Sequence, residues 1–204
     1  MPNLDFYFDF SSPYSYIASE RIEELAARHG YHVSWKPILL GVIFKTTGGV
    51  PLTMGHPWRA KYSVMDFARS AEFHGVPFRM PSRFPQPTQN AARALLWLQR
   101  NAPDKAVAFL HEAFRELFAR DGDLSAPETL ERLARAVGAD PQAVAAGTQD
   151  PQIKQALVEL NEEAARLEIF GAPTVVVDGE KFWGADRLPY VERRLQRSAA
   201  HTAK

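Results

Sequence analysis

The 204-residue sequence contains no cysteine. This excludes disulfide staples, thiolate metal sites and a dithiol redox centre built from the chain itself, so any thiol chemistry must use a thiol brought from outside. No apolar run approaches the roughly 20 residues that a membrane-spanning helix needs. An excess of either charge is also missing, because 24 Lys and Arg balance 24 Asp and Glu. The basic residues are spread along the chain, which leaves no electrostatic footprint for nucleic acid or an anionic membrane. The histidines show neither His-x-His nor His-Glu-x-x-His spacing, so no metal site is indicated. The N-terminus enters a strand pattern directly, without the basic segment, apolar stretch and small-residue cleavage site of a secretion signal. The expected location is cytoplasmic.

What remains is an ordinary globular composition with enough apolar residues for a packed core. In residues 3–10, Leu4, Phe6, Phe8 and Phe10 fall on one face, with Asp5 and Asp9 among the others; period two with aromatic enrichment reads as a β-strand. At Ser11-Ser12-Pro13 the period changes, and Ile17, Ile22 and Leu25 with Ala18 and Ala26 mark a helix that ends at Gly30. Residues 32–38 read as a second strand, giving β-α-β and hence a parallel pair joined by a crossover. Residues 41–90 are punctuated by glycine and proline around one helix, expected over 58–74. From 90 to about 167 the reading is helical: 90–101, 104–120, then helices opened by Ser125 or Pro127, Asp140-Pro141 and Asp150-Pro151. Thr174–Val177 is a β-branched run, Asp178-Gly179 a hairpin turn signal, and residues 181–183 the returning strand. Asp186 is expected to cap a final helix through about Arg197, with a frayed tail from Ser198. The fold class is therefore α/β, with residues 1–40 and 168–204 completing one mixed sheet around a helical insertion at 41–167.

Two segments are placed to carry chemistry. Ser11-Ser12-Pro13-Tyr14-Ser15 lies where the first strand gives way to the first helix. Serine is a favoured cap and proline a favoured first helical residue, so the segment has a structural use. The same place suits an anion, because a helix N-terminus presents unpaired N–H groups and about half a positive charge. A hydroxyl there can donate to a thiolate and lower the pKa of its thiol. Phe170-Gly171-Ala172-Pro173-Thr174 enters the third strand. It serves as a turn, or, with a cis Ala172-Pro173 bond, exposes backbone groups that can pair with a bound peptide. A serine hydrolase is disfavoured, since neither serine has a Gly-x-Ser-x-Gly context.

The stretch Phe6-Tyr7-Phe8-Asp9-Phe10-Ser11-Ser12-Pro13-Tyr14-Ser15 resembles the active-site start of the DsbA-related branch of thioredoxin-fold proteins. Its oxidoreductases carry Cys-x-x-Cys here; Ser12 and Ser15 stand in those places, as in the 2-hydroxychromene-2-carboxylate isomerases and kappa-class glutathione transferases. Phe170-Gly171-Ala172-Pro173-Thr174 resembles the family's cis-proline loop, and Phe182-Trp183-Gly184-Ala185-Asp186-Arg187-Leu188 its second glutathione-binding segment. The resemblance implies a thioredoxin-like fold with a large all-helical insertion, glutathione as cofactor, and a homodimer. It implies that Ser12 contacts the glutathione sulfur, and that Ala172, ahead of cis Pro173, pairs its backbone with the cysteinyl part. Ala185 and Asp186 would hold the γ-glutamyl end. Family members often place an asparagine near Gly49, which this chain lacks; Lys45 and Lys61 are candidates for the glycyl carboxylate, with a solvated role as the alternative. Phe44, Tyr62, Phe84 and Asn90 are candidates for the second-substrate pocket, with a core or surface role as the alternative for each. The implied activity is glutathione-dependent cis–trans isomerisation of a conjugated aromatic keto acid in aromatic-compound degradation. A kappa-type transferase that conjugates small electrophiles, or a non-catalytic peptide-binding module, are the other readings.

Overall fold

The computed structural model describes the backbone of residues 1–202 and side chains as far as Ser198. Strands β1 (Asn3–Phe8), β2 (His32–Pro37), β3 (Thr174–Val177) and β4 (Glu180–Trp183) form one sheet in the order β2-β1-β3-β4. β1 runs parallel to β2, with Phe6 opposite Trp35, and antiparallel to β3, with Phe6 opposite Val175. β3 and β4 close the hairpin through Asp178 and Gly179, both at positive φ (48° and 81°), the conformation that an Asp-Gly turn supplies.

The period-two reading of β1 holds. Leu4, Phe6 and Phe8 are fully buried on one face, against Ile17 and Ile22 of α1 (Pro13–Arg28) and a long run of helical side chains. Tyr7 faces the other way, into a smaller cluster with Ile38, Ile43, Ala164 and Ile169. Its hydroxyl donates to Glu163 Oε1, an oxygen that also lies 3.0 Å from Lys36 Nζ. Burial and then the Glu163 carboxylate hold Tyr7 well above the ordinary tyrosine pKa, so it stays a neutral donor.

The expected helical middle is present as α3 (Pro57–Phe73), α4 (Gln89–Asn101), α5 (Pro103–Phe118), α6 (Pro127–Ala136), α7 (Pro141–Gly147) and α8 (Pro151–Arg166); most of its buried side chains share one core cluster with the sheet, while Ala164 of α8 joins the smaller one. Asp140 and Asp150 cap α7 and α8 by accepting the Gln142 and Gln152 N–H at 2.9 and 2.7 Å. Three expectations change. The first strand stops at Phe8 rather than Phe10, because the Ser12 N–H turns back to the Asp9 carbonyl at 2.9 Å. A helix, α2 (Leu40–Thr47), occupies part of the segment read as irregular; it ends at Gly48 in the left-handed region. Asp186 does not cap the final helix. It sits in a 3-10 turn (Ala185–Arg187), and α9 (Leu188–Thr202) begins after it and runs past the expected end near Arg197.

α5 is fastened to α1 by charge. His111 Nε2 is 2.6 Å from Glu23 Oε2 and Nδ1 is 3.3 Å from Glu20 Oε1, with Arg115 2.8 Å from the other Glu20 oxygen. Burial opposes the imidazolium charge, but the two carboxylates outweigh it and push His111 from 6.5 up to about 9. A raised folded-state pKa means that the protonated form favours the fold. This stabilisation is complete below the unfolded value near 6.5 and is lost as pH rises through about 9. The melting temperature is therefore expected to fall across this window, and more steeply than in His111→Gln. Equal slopes in a pH series of thermal melts would show that His111 does not carry the dependence.

Candidate active site

Ser12 is the N-cap of α1, and Pro13 fills the first helical position. Ser12 is 5% exposed. Its Oγ accepts the Ser15 N–H at 3.1 Å and donates to the Ala172 carbonyl, also at 3.1 Å. That second bond joins two segments 160 residues apart and brings the first helix start onto the proline loop. An N–H bonded to the hydroxyl oxygen polarises it toward donating its own proton. The α1 dipole adds a positive field along the same direction.

The Ala172-Pro173 bond is cis, as the sequence reading expects. Pro173 and Thr174 are buried, and the Thr174 hydroxyl donates to the Gly171 carbonyl at 2.8 Å, closing the loop. The Ala172 N–H has no intramolecular acceptor among the described residues. A bound extended peptide could take that donor, while the Ala172 carbonyl already holds Ser12. Glutathione thus fits on an observation of this chain: a free backbone donor beside a capped hydroxyl that can turn to a sulfur.

The loop is tied to the segment after β4, where the Gly184 N–H donates to the Pro173 carbonyl at 2.9 Å. Gly184 has a φ of 114°, open mainly to glycine. Ala185 is buried and Asp186 exposed, with its carboxylate 2.9 Å from Arg187. Trp183 stacks edge-on against Phe170 at 4.8 Å, and its indole lies so close over Gly171 that a Cβ there would be 2.4 Å from Nε1.

Tyr14, two residues beyond Ser12, donates to Asp66 of α3 at 2.6 Å and packs on Phe67. Burial first, then Asp66, with a smaller push from Asp186, holds its pKa well above the ordinary value. The 3-10 turn that carries Asp186 packs against α1.

The other candidates are more scattered. Phe44 and Lys45 lie on α2; the Phe44 ring covers Gly49, and Lys45 is exposed. Lys61 and Tyr62 are exposed on α3, with the Arg69 guanidinium 6.0 Å from the Tyr62 ring centre. Phe84 packs on Phe118 at 6.3 Å, at the rim of the main core. Asn90, in the first turn of α4, accepts from Arg93 at 3.3 Å.

Sequence reasoning missed Asp9, which is 3% exposed. Its Oδ1 accepts the Ser11 N–H and the Thr88 hydroxyl, each at 2.8 Å, and its Oδ2 accepts the Leu40 N–H at 2.7 Å. The bond to Ser11, two residues on, is an Asx turn, a local signal present in Asp9-Phe10-Ser11. The bonds to Leu40 and Thr88 had no sequence signal. A cavity of about 390 Å³ beside β2, lined by Val33, Trp35, Leu96 and Leu160 among others, shares no residue with this site.

Comparison with known proteins agrees with this fold. The model of the DsbA-like thioredoxin domain matches residues 3–196. A 2-hydroxychromene-2-carboxylate isomerase of Sphingobium xenophagum is 30% identical over 193 residues, covering 94% of this chain and 97% of that protein. Glutathione S-transferase kappa 1 of Caenorhabditis elegans is 29% identical, covering 96% and 92%. A solved 2-hydroxychromene-2-carboxylate isomerase superposes with a TM-score of 0.87 at 24% identity, covering 98% of each chain. The cytosolic disulfide reductase DsbM of Pseudomonas aeruginosa, solved with GSH, superposes at 0.66 with 16% identity, covering 95% and 99%. The chain belongs to the DsbA-like thioredoxin-fold family, in the group of the 2-hydroxychromene-2-carboxylate isomerases and kappa-class glutathione transferases.

Proposed function

We propose that this protein is a glutathione-dependent cis–trans isomerase of the 2-hydroxychromene-2-carboxylate or hydroxybenzylidenepyruvate type. The observation that carries the reading is the Ser12 hydroxyl, held between the α1 start and the Ala172 carbonyl in a chain without cysteine. The named relatives narrow the chemistry to an isomerase or a transferase.

Glutathione bound here supplies a sulfur nucleophile, whose reversible addition turns a C=C bond into a single bond that can rotate. Ser12 turns its hydroxyl from Ala172 toward the sulfur and, with the α1 dipole, favours the thiolate. Ala172 offers its free N–H to the cysteinyl backbone. Asp186, exposed and close to Ala185, meets the γ-glutamyl ammonium. Lys45 on α2 meets the glycyl carboxylate. Phe44, Tyr62, Phe84 and Asn90 border the second-substrate pocket. Transferase chemistry needs the same thiolate and differs only in releasing the conjugate rather than the free thiol.

An absorbance assay with a benzylidenepyruvate, followed by product analysis, separates the two: isomerised acid with glutathione unconsumed supports the isomerase, and a stable conjugate supports the transferase. In Ser12→Ala the pKa of the bound thiol is expected to rise. Turnover at saturating glutathione should drop at least about tenfold, since a charge-assisted donor contributes about 1.5–3 kcal/mol. Unchanged turnover would remove Ser12 from the chemistry. Because Asp186 caps no helix, Asp186→Asn should leave melting nearly unchanged while calorimetry shows weakened glutathione binding. Parallel loss of stability and binding would give Asp186 a structural role instead.

A further inference from the structure

We infer that Asp9 is a positioning residue for the second substrate, because its buried carboxylate fixes the starts of α2 and α4 relative to Ser12. This inference rests on the glutathione reading above.

The three donors to Asp9 each stand at a helix start. Ser11 precedes the α1 cap, Leu40 is the first residue of α2, and Thr88 is the residue at the α4 N-cap position. Neither α2 nor α4 has a capping bond from its own N-cap side chain. A helix start needs acceptors for its unpaired N–H groups, and its dipole favours a negative charge. The Asp9 carboxylate meets part of that need at α2 through the Leu40 N–H, and it holds the side chain at the α4 N-cap through the Thr88 hydroxyl. These N–H and O–H groups in turn offset the cost of removing its charge from water.

These three segments also carry some of the candidate site residues. Ser12 lies three residues beyond Asp9, Phe44 and Lys45 four and five beyond Leu40, and Asn90 two beyond Thr88. A single group therefore sets the spacing between the sulfur-binding hydroxyl and Phe44 and Asn90, two of the residues that border the second substrate. Misplacement by about 1 Å can cost on the order of a hundredfold in rate.

The bonding pattern allows the contributions to be separated. In Asp9→Asn the amide oxygen can keep Ser11 and Thr88, but the NH₂ then faces the Leu40 N–H, donor against donor, so only α2 is released. Thr88→Val removes the donor from the α4 start and leaves the carboxylate in place, whereas Thr88→Ser keeps a hydroxyl. Neither Asp9 nor Thr88 touches a substrate in this reading, so the readout is the split between glutathione affinity and the second substrate's KM.

The test measures glutathione binding by calorimetry and steady-state kinetics with a benzylidenepyruvate at saturating glutathione, on variants whose circular dichroism matches the unaltered protein. Thr88→Val should keep glutathione Kd within about threefold and raise KM at least about tenfold, with Thr88→Ser returning KM to within about twofold, whereas Asp9→Asn, which releases α2 and Lys45 with it, should raise KM and weaken glutathione binding together. Unchanged KM in either variant, a parallel weakening of glutathione binding in Thr88→Val, or a Thr88→Ser as impaired as Thr88→Val would each overturn the inference. If Asp9→Asn does not fold, the Thr88 pair decides the question alone. Absence of glutathione binding by the unaltered protein would overturn the proposed function and this inference with it; binding with unchanged KM overturns only the inference.

Discussion

A strand of period two has only two faces to offer, and β1, lying between β2 and β3, has both of them covered. Leu4, Phe6 and Phe8 go into the main core and Tyr7 into the smaller one, all at 0% exposure. Full burial of one such apolar side chain is worth about 1.5–3 kcal/mol, and a slip of one residue would move every one of them to the wrong side. Asp9 has the same parity as Tyr7 and is carried toward α2, where its carboxylate meets the Leu40 N–H. The register of β1 thus sets the place of Ser12 and of the segments around it before any of them is specified locally.

The parts of the fold legible in the sequence are those whose stabilising groups lie close together along the chain. Period two in residues 3–8, Asp-Pro pairs opening α7 and α8, and Asp178-Gly179 in the hairpin all act within a few residues of where they are read. Helix α2 was illegible for the opposite reason. It is eight residues long, has no side-chain cap at Leu39, and is held by Asp9 from one side and by Asn161, which accepts the Leu39 N–H at 2.9 Å, from the other. An isolated helix of that length is unstable in water. The candidate site divides in the same way. Ser12 and the Ala172-Pro173 loop have local motifs, whereas Thr88, 79 residues from the carboxylate it serves, has none.

The start of α1 also explains how one architecture can serve a protein with no thiol. A cysteine at a helix N-terminus becomes a nucleophile because the dipole lowers its pKa into the working range. A serine hydroxyl is too weak an acid for that, so the same field leaves Ser12 a donor: it donates a hydrogen bond to the Ala172 carbonyl and accepts one from the Ser15 N–H. In the proposed chemistry, what would have been the attacking atom becomes the group that stabilises an attacking atom from elsewhere. Ser15, in the second position of the pattern, is fully buried, and its Oγ has no hydrogen-bond partner among the described residues.

Trp183 leaning over Gly171 ties two positions that are twelve residues apart in sequence and face each other across the β3–β4 end of the sheet. Any side chain at 171 would push the indole off the proline loop and away from Phe170. A bulkier residue at 171 is therefore compatible with this loop only beside a smaller one at 183. The space above the loop is set by the sum of the two side chains rather than by either residue alone.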